Sequence, residues 1–366
     1  MRILLLIHRL WNGGGTETHV LALATELRRA GHTVGVFTAG GAWVPLFRAN
    51  GIPVHVSPAR HERFAALQRL IVQHGYEVLH GHDAESFQLI RRLRETRPFA
   101  AVFTVHGRYV HARTLRMCAP AAGAVVTVSA VLRHYVAASG VPQNKIHEVA
   151  NGVSTSVYHP RRRSTVRRRF NIPGDAFVVG YAGRFTGDKL HLSRRTSGLL
   201  REYAAAHPNV HVLIAGRESR AYERTGARFH VLGAVSDMAV FYRACDVVIG
   251  TGRVALEALA CGVPTIAGGR AEYIGRVTPA SSATMHRTNF GDHGAHRRAW
   301  RSAAVFHDLD AVRRHLDRAR RDAGALTRVV QQRFSARRMA LHIARLYSAQ
   351  IAAQRGGRMA VAGGAH

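Results

Sequence analysis

The chain has 366 residues, 47% of them hydrophobic, which is long for one domain and enough to fill two cores. It carries 52 basic against 22 acidic side chains, a formal net charge of +30, and lysine occurs only at 145 and 189, so the excess is arginine. Three cysteines without Cys-x-x-Cys spacing argue against a disulfide scaffold or a cysteine zinc site, and no apolar run reaches the roughly 20 residues a membrane helix needs.

Strand and helix patterns alternate from the start. Residues 2–8 read as a buried strand, 11–15 as a loop, and 16–30 as a helix with Thr16 as N-cap and Val20, Leu23, Ala24 and Leu27 on one apolar stripe. Gly31 ends that helix, and further strands follow at 33–38, 52–56, 78–80, 101–105, 124–128 and 146–149, with a helix at 64–74 turning Phe64, Leu67, Leu70 and Ile71 inward. Residues 158–171 are proline-flanked, arginine-rich and poorly periodic, the composition of a linker. A second series has strands at 177–181, 210–215, 229–232, 247–249 and 263–267. Helices close the chain near 311–321 and at 335–354, the last spaced for docking by Met339, Ile343 and Leu346, before a Gly- and Ala-rich tail expected to be mobile. Buried strands alternating with helices predict an α/β fold of two doubly wound, Rossmann-like domains facing a cleft. The expected divisions are 1–160, a linker at 161–171, 172–334, a helix at 335–354 and a tail at 355–366.

Three glycine-containing loops carry the chemistry. In Asp246-Val-Val-Ile-Gly-Thr-Gly-Arg-Val-Ala-Leu-Glu257, a strand turns through Gly250, Thr251 and Gly252 into a helix at 254–260 that Gly262 stops. Free N–H groups and the positive end of the helix dipole make such a turn an anion site. Arg253 adds a charge at its mouth, and Glu257, one turn on, can accept from sugar hydroxyls, which together fit diphosphate beside ribose. In Gly183-Arg184-Phe185-Thr186-Gly187-Asp188-Lys189, a guanidinium and an ammonium can converge on one anion. Gly13-Gly14-Gly15 follows the first strand but lacks the dinucleotide fingerprint, since its third glycine would fall on Thr18.

These motifs, with Ala215-Gly216, Leu232-Gly233-Ala234-Val235, Leu256-Glu257-Ala258-Leu259-Ala260-Cys261-Gly262-Val263-Pro264, Thr104-Val105-His106-Gly107 and Asn151-Gly152-Val153, stand in an order that resembles GT-B glycosyltransferases of the large retaining group called family 4. The resemblance implies that Arg184 and Lys189 hold the donor diphosphate and that Glu257 binds the nucleotide ribose. It further implies that His106 lies near the donor sugar, that Gly14 and Gly15 face phosphate and acceptor, and that the base is read by backbone near Gly233 to Val235. The expected activity is transfer of a sugar, a hexose by expectation, from a UDP- or GDP-type donor to a glycan, lipid-linked or small-molecule acceptor, with retention and without metal or other cofactor. One departure stands out. The first glutamate of the family's pair falls on Ile249, so a nucleotide-sugar binder without efficient transfer, or an epimerase of the same fold, stay as alternatives.

Two further clusters are read conservatively. His80-Gly81-His82-Asp83 ends a strand with both imidazoles on one face, and a cleft-lining role is expected over a metal site. Asp308-Leu309-Asp310 has metal-binding spacing but precedes a helix, and is read as an N-cap. The arginine clusters at 161–163, 167–169 and 313–321 do not interleave with aromatics, so no specific nucleic-acid partner is expected. A cytoplasmic protein is expected, with its basic surface favouring peripheral contact with an anionic membrane at the inner face.

Overall fold

The computed structural model describes residues 1–11, 13–161, 165–294 and 299–363, with backbone alone at 283, 284 and 356–363. Arg162 and Arg163 of the first arginine cluster and the last three residues of the expected tail lie outside the described residues. The chain divides into two compact units, Met1–Gly152 with Ala336–His366, and Val153–Ser335.

The first unit runs β1 (Arg2–Leu6), α1 (Gly15–Arg29), β2 (Thr33–Thr38), α2 (Val44–Ala49), β3 (Val54–Val56), α3 (Arg63–His74), β4 (Val78–Gly81), α4 (Ala84–Arg94), β5 (Ala100–Val105), α5 (Ala112–Cys118), β6 (Ala124–Thr127), α6 (Ala130–Ala138) and β7 (Ile146–Glu148). Its seven strands lie in the order β3-β2-β1-β4-β5-β6-β7, all parallel. Both faces of the sheet are covered, which is why the central strands β4, β5 and β6 are buried at every position rather than at alternate ones. In β1, Ile3 and Leu5 enter one core and Leu4 and Leu6 the other. The stripe of α1 is buried as expected, with Val20, Leu23, Ala24 and Leu27 all at 0% exposure. Its N-cap, however, is Gly14 and not Thr16. The Glu17 side chain folds back over Gly14, where an added Cβ would lie 2.1 Å from the carboxylate.

The second unit runs α7 (Val166–Arg169), β8 (Phe177–Ala182), α8 (Leu190–Ala206), β9 (Val210–Ala215), α9 (Ser219–Tyr222), β10 (Phe229–Gly233), α10 (Met238–Ala244), β11 (Val247–Gly250), α11 (Arg253–Ala260), β12 (Thr265–Gly268), β13 (Tyr273–Arg276), α12 (Ser282–Met285), α13 (Ser302–Arg314) and α14 (Leu316–Arg333). Its sheet order is β10-β9-β8-β11-β12-β13, parallel except for β13. The segment around Arg167, poorly periodic in sequence, is tied into this unit. The buried guanidinium donates to Asp246, 2.7 Å away, and to the carbonyls of Ala244 and Ala176. Asp308 is not an N-cap. It lies inside α13, where it accepts from Tyr273 and Arg276, while Asp310 accepts from Tyr203, so both carboxylates pin the helix to the unit. The helix read at 311–321 is two helices that meet at His315.

The chain ends in α15 (Ala336–Gly363), which packs on α1 in the first unit. Met339, Ile343 and Tyr347 are buried there, whereas Leu346 is only partly covered. No helix among the described residues is long and apolar enough to cross a membrane.

Candidate active site

In an open parallel sheet, ligands sit at the carboxyl ends of the strands where the strand order reverses, because adjacent loops there diverge to opposite faces. In the second unit that point lies between β8 and β11. The loop after β8 holds Gly183, Arg184 and Lys189, and the turn after β11 holds Gly250, Thr251, Gly252 and Arg253. Sequence reading placed both at one site, and the sheet order makes them neighbours.

Glycine is required along this edge. A Cβ on Gly216 would fall 1.8 Å from the Gly183 carbonyl oxygen, and Gly216 N–H donates to the Gly233 carbonyl at 2.8 Å, so the ends of β8, β9 and β10 lie nearly in contact. Gly252, the N-cap of α11, has φ +53°, a left-handed conformation that disfavours side chains. At the far end of α11, Gly262 N–H bonds the Leu259 carbonyl and Val263 N–H that of Ala258, a Schellman stop with Gly262 at φ +76°.

The charged residues have protein partners. Arg184 pairs with Asp188 at 3.3 Å, and Lys189 pairs with Asp292. Burial opposes ionisation of Asp292, but Lys189, His293 and Arg184 outweigh it and hold the carboxyl below its usual range. The two cations read as an anion site thus already influence one carboxylate. Glu257 is buried at 5% exposure, accepting from Arg253 at 3.1 Å and from Tyr242 at 2.9 Å. Burial raises its carboxyl above the usual range, with Arg253 and Tyr242 offsetting part of the shift. Arg253 therefore turns back along its own helix toward Glu257, one turn on. Val235 lines a cavity of about 580 Å³ with Gly233, Arg220, Phe170 and Asp237, large enough for an aromatic base.

In the first unit the reversal lies between β1 and β4. Gly14 and Gly15 open α1 there, and His82 and His106 follow β4 and β5. His82 Nδ1 lies 3.2 Å from His106 Nε2, and the His19 ring packs edge-on against His106 with centroids 4.6 Å apart. His19 Nδ1 donates to Asn151 Oδ1 at 3.0 Å, since an amide oxygen only accepts. His80 is spent between Tyr347 and Thr104 at 2.6 and 2.7 Å. Burial, with neighbouring imidazoles, pushes both His80 and His82 well below the usual histidine range. His19, His82 and His106 offer nitrogens within 4.8 Å of one another, a set that could hold a divalent ion, although one of these contacts is itself a His–His hydrogen bond.

Sequence reading quoted Asn151 only within a linker motif and missed His19, Tyr242 and Asp292. His19 lies one helical turn into α1 from Gly15, on the same face as Val20 and Leu23, which was a usable clue. Tyr242 and Asp292 join the site only through chain crossings of 15 and 103 residues, which no local pattern encodes.

Residues 13–157 match the family described as Glycosyltransferase Family 4, and residues 176–280 match Glycosyl transferases group 1. Among curated relatives, the D-inositol 3-phosphate glycosyltransferase of Stackebrandtia nassauensis is 30% identical over 207 residues, covering 50% of this chain and 44% of that one. The protein of the same name from Mycolicibacterium smegmatis is 26% identical over 318 residues, covering 70% and 71%. The chain thus spans less than half the length of the first of these relatives. Among solved structures, Anabaena Alr3699/HepE in complex with UDP-glucose superposes with a TM-score of 0.75 at 20% identity, covering 95% of this chain and 100% of that one. Sucrose-phosphate synthase from Thermosynechococcus elongatus gives 0.71 at 19%, covering 96% and 100%. A putative UDP-N-acetylglucosamine 2-epimerase from Listeria monocytogenes gives 0.60 at 11%, covering 93% and 94%. With the two family models matched in turn across the two units and both sheets wound in the same sense, the chain belongs to the family-4 type of GT-B glycosyltransferases.

Proposed function

We propose that the protein transfers a sugar, a hexose by preference, from a nucleoside-diphosphate donor to an acceptor with retention of anomeric configuration and without metal. The observation that carries this reading is the row of glycine turns at the switch point of the second sheet, with Arg184, Lys189 and the N-terminus of α11 at its carboxyl edge. The diphosphate would displace Asp188 from Arg184, meet the Lys189 ammonium beside Asp292, and lie over the N-terminus of α11. Ribose would add hydrogen bonds to the lone pairs of Glu257 that Arg253 and Tyr242 leave open, and the base would enter the cavity beside Val235.

Retention needs no protein nucleophile. The bond from the anomeric carbon to the phosphate oxygen breaks, the acceptor oxygen bonds that carbon on the same face, and the acceptor proton passes to the departing phosphate. The protein's main contribution is then charge stabilisation on the leaving group, about 3 kcal/mol for each such contact. His106 is assigned to the donor sugar, and Gly14 and Gly15 to phosphate and acceptor. Nucleotide-sugar complexes of the structural neighbours and the arginine-rich composition support a UDP-type donor and an anionic or lipid-linked acceptor. The relatives' name adds phosphorylated polyols to the acceptor classes. Nucleotide-sugar chemistry and three free, buried thiols agree with a cytoplasmic setting, with peripheral membrane contact through the basic surface.

Calorimetric titration of UDP, GDP and ADP into the wild type, Glu257→Ala and Arg184→Ala with Lys189→Ala tests the site. One nucleotide should bind selectively and both variants should weaken it. Binding no better than millimolar, or variants that bind as the wild type does, would overturn the assignment. A second reading, nucleotide-sugar binding without efficient transfer, is favoured by Ile249, which is fully buried in β11 where the family's first glutamate stands. Tight nucleotide binding with no diphosphate release from any donor and acceptor pair would select it.

A further inference from the structure

Ile249 cannot reach a donor sugar, yet the structure brings another carboxylate to the same loops. Residues 289–293 form a turn with three successive positive φ angles, Asn289 at +50°, Phe290 at +56° and Gly291 at +88°. Asparagine tolerates left-handed geometry, but it is costly for phenylalanine, so the turn must be held from outside. It is held at three places. Gly252 N–H donates to the Asn289 carbonyl at 3.1 Å, and Thr251 Oγ1 donates to the Phe290 carbonyl at 3.0 Å, which seats the turn on the glycine loop after β11. Glu272 N–H donates to the Gly291 carbonyl, and Gly291 approaches so closely that a Cβ there would lie 2.4 Å from the Glu272 carbonyl oxygen, which seats it on the loop between β12 and β13. Phe290 itself is buried with Met285, Leu326 and Val330. The third anchor is Asp292, which accepts from the Lys189 ammonium in the loop after β8.

We propose that Asp292 positions the donor sugar, supplying from the 289–293 turn the carboxylate that the motif lacks at Ile249. This rests on the nucleotide-sugar site proposed above. A carboxylate that served only to neutralise Lys189 would work against binding, because it would remain beside an incoming diphosphate as a like charge. It is economical if it serves the uncharged part of the donor. Ionised Asp292 has about four lone-pair positions, and Lys189 occupies one. Its side chain keeps 24% exposure, so part of the carboxylate faces solvent and can take hydroxyl donors, with His293 Nε2 3.9 Å from its second oxygen. The anchors on the loops after β8, β11 and β12 fix where those positions lie.

The test is calorimetry with UDP, UDP-glucose, GDP and GDP-mannose on the wild type, Asp292→Asn and Asp292→Ala, with thermal melts of each. For the nucleotide that the wild type prefers, both variants should bind the bare diphosphate as tightly as the wild type or more so. The advantage of the sugar form over the bare form should fall about tenfold, in line with losing charge-assisted hydrogen bonds. Equal changes for bare and sugar forms would overturn the proposal and leave Asp292 as a partner of Lys189 only. Should Asp292→Ala melt early, the near-isosteric Asp292→Asn decides between those results. Failure of the wild type to bind any of the four ligands would refute the underlying site and this proposal with it.

Discussion

Glu257→Ala removes the acceptor of two buried donors at once. Arg253 and Glu257 side chains are 9% and 6% exposed, and their bond at 3.1 Å runs between adjacent turns of α11. Removing the carboxylate leaves a buried guanidinium without its counter-charge and the Tyr242 hydroxyl without its 2.9 Å partner. Breaking a buried ion pair from one side costs about 3–5 kcal/mol, and the orphaned hydroxyl about 1 more. For a unit of this size, each kcal/mol lowers Tm by roughly 2–4 °C, so a fall of about 10 °C or more is expected. Replacing both partners, Arg253→Met with Glu257→Leu, should recover most of that loss, because no charge is left buried. Urea unfolding followed by tryptophan fluorescence gives the three free energies, and nucleotide titration on the same samples separates folding from binding. The double variant should be stable yet bind nucleotide weakly. A loss under about 1 kcal/mol for Glu257→Ala would refute the buried pair, and full nucleotide affinity in the double variant would refute the ribose assignment.

Gly216→Ala should weaken nucleotide binding and lower Tm, since the added methyl would meet the Gly183 carbonyl and φ of +150° strains any side chain; unchanged titration and melting would refute the close approach. Acid should destabilise the second unit through His230, which burial and the stacked His211 ring hold at a pKa of about 4. Because that value lies below the unfolded one of about 6.5, the unfolded chain binds the extra proton, and stability is lost as pH falls from about 6.5 to 4, by at most ~1.4 kcal/mol per pH unit. His230→Gln should flatten that slope in urea melts, and an unchanged slope would refute the assignment. Transfer should survive an excess of chelator, judged by diphosphate release; complete loss would assign the His19, His82 and His106 set, or another group, a metal.

The alternation of apolar strands with amphipathic helices determined the α/β class and the two-unit plan, because the period of a buried strand or helix face is written in consecutive residues. Glycine turns were legible for the same reason. Gly252 and Gly262 hold positive φ angles that few other residues adopt, so their positions in sequence located the switch-point loop and its helix directly. Arg184, Lys189 and Glu257 could be named from their place on those loops. Their partners could not. Asp292 meets Lys189, and Tyr242 meets Glu257, across crossovers whose geometry depends on the order of strands in the sheet. Periodicity states which face of an element is buried but not what it is buried against, so the docking of α15 on α1, the gathering of His19, His82 and His106, and the seating of the 289–293 turn on Gly252 belong to the tertiary structure alone.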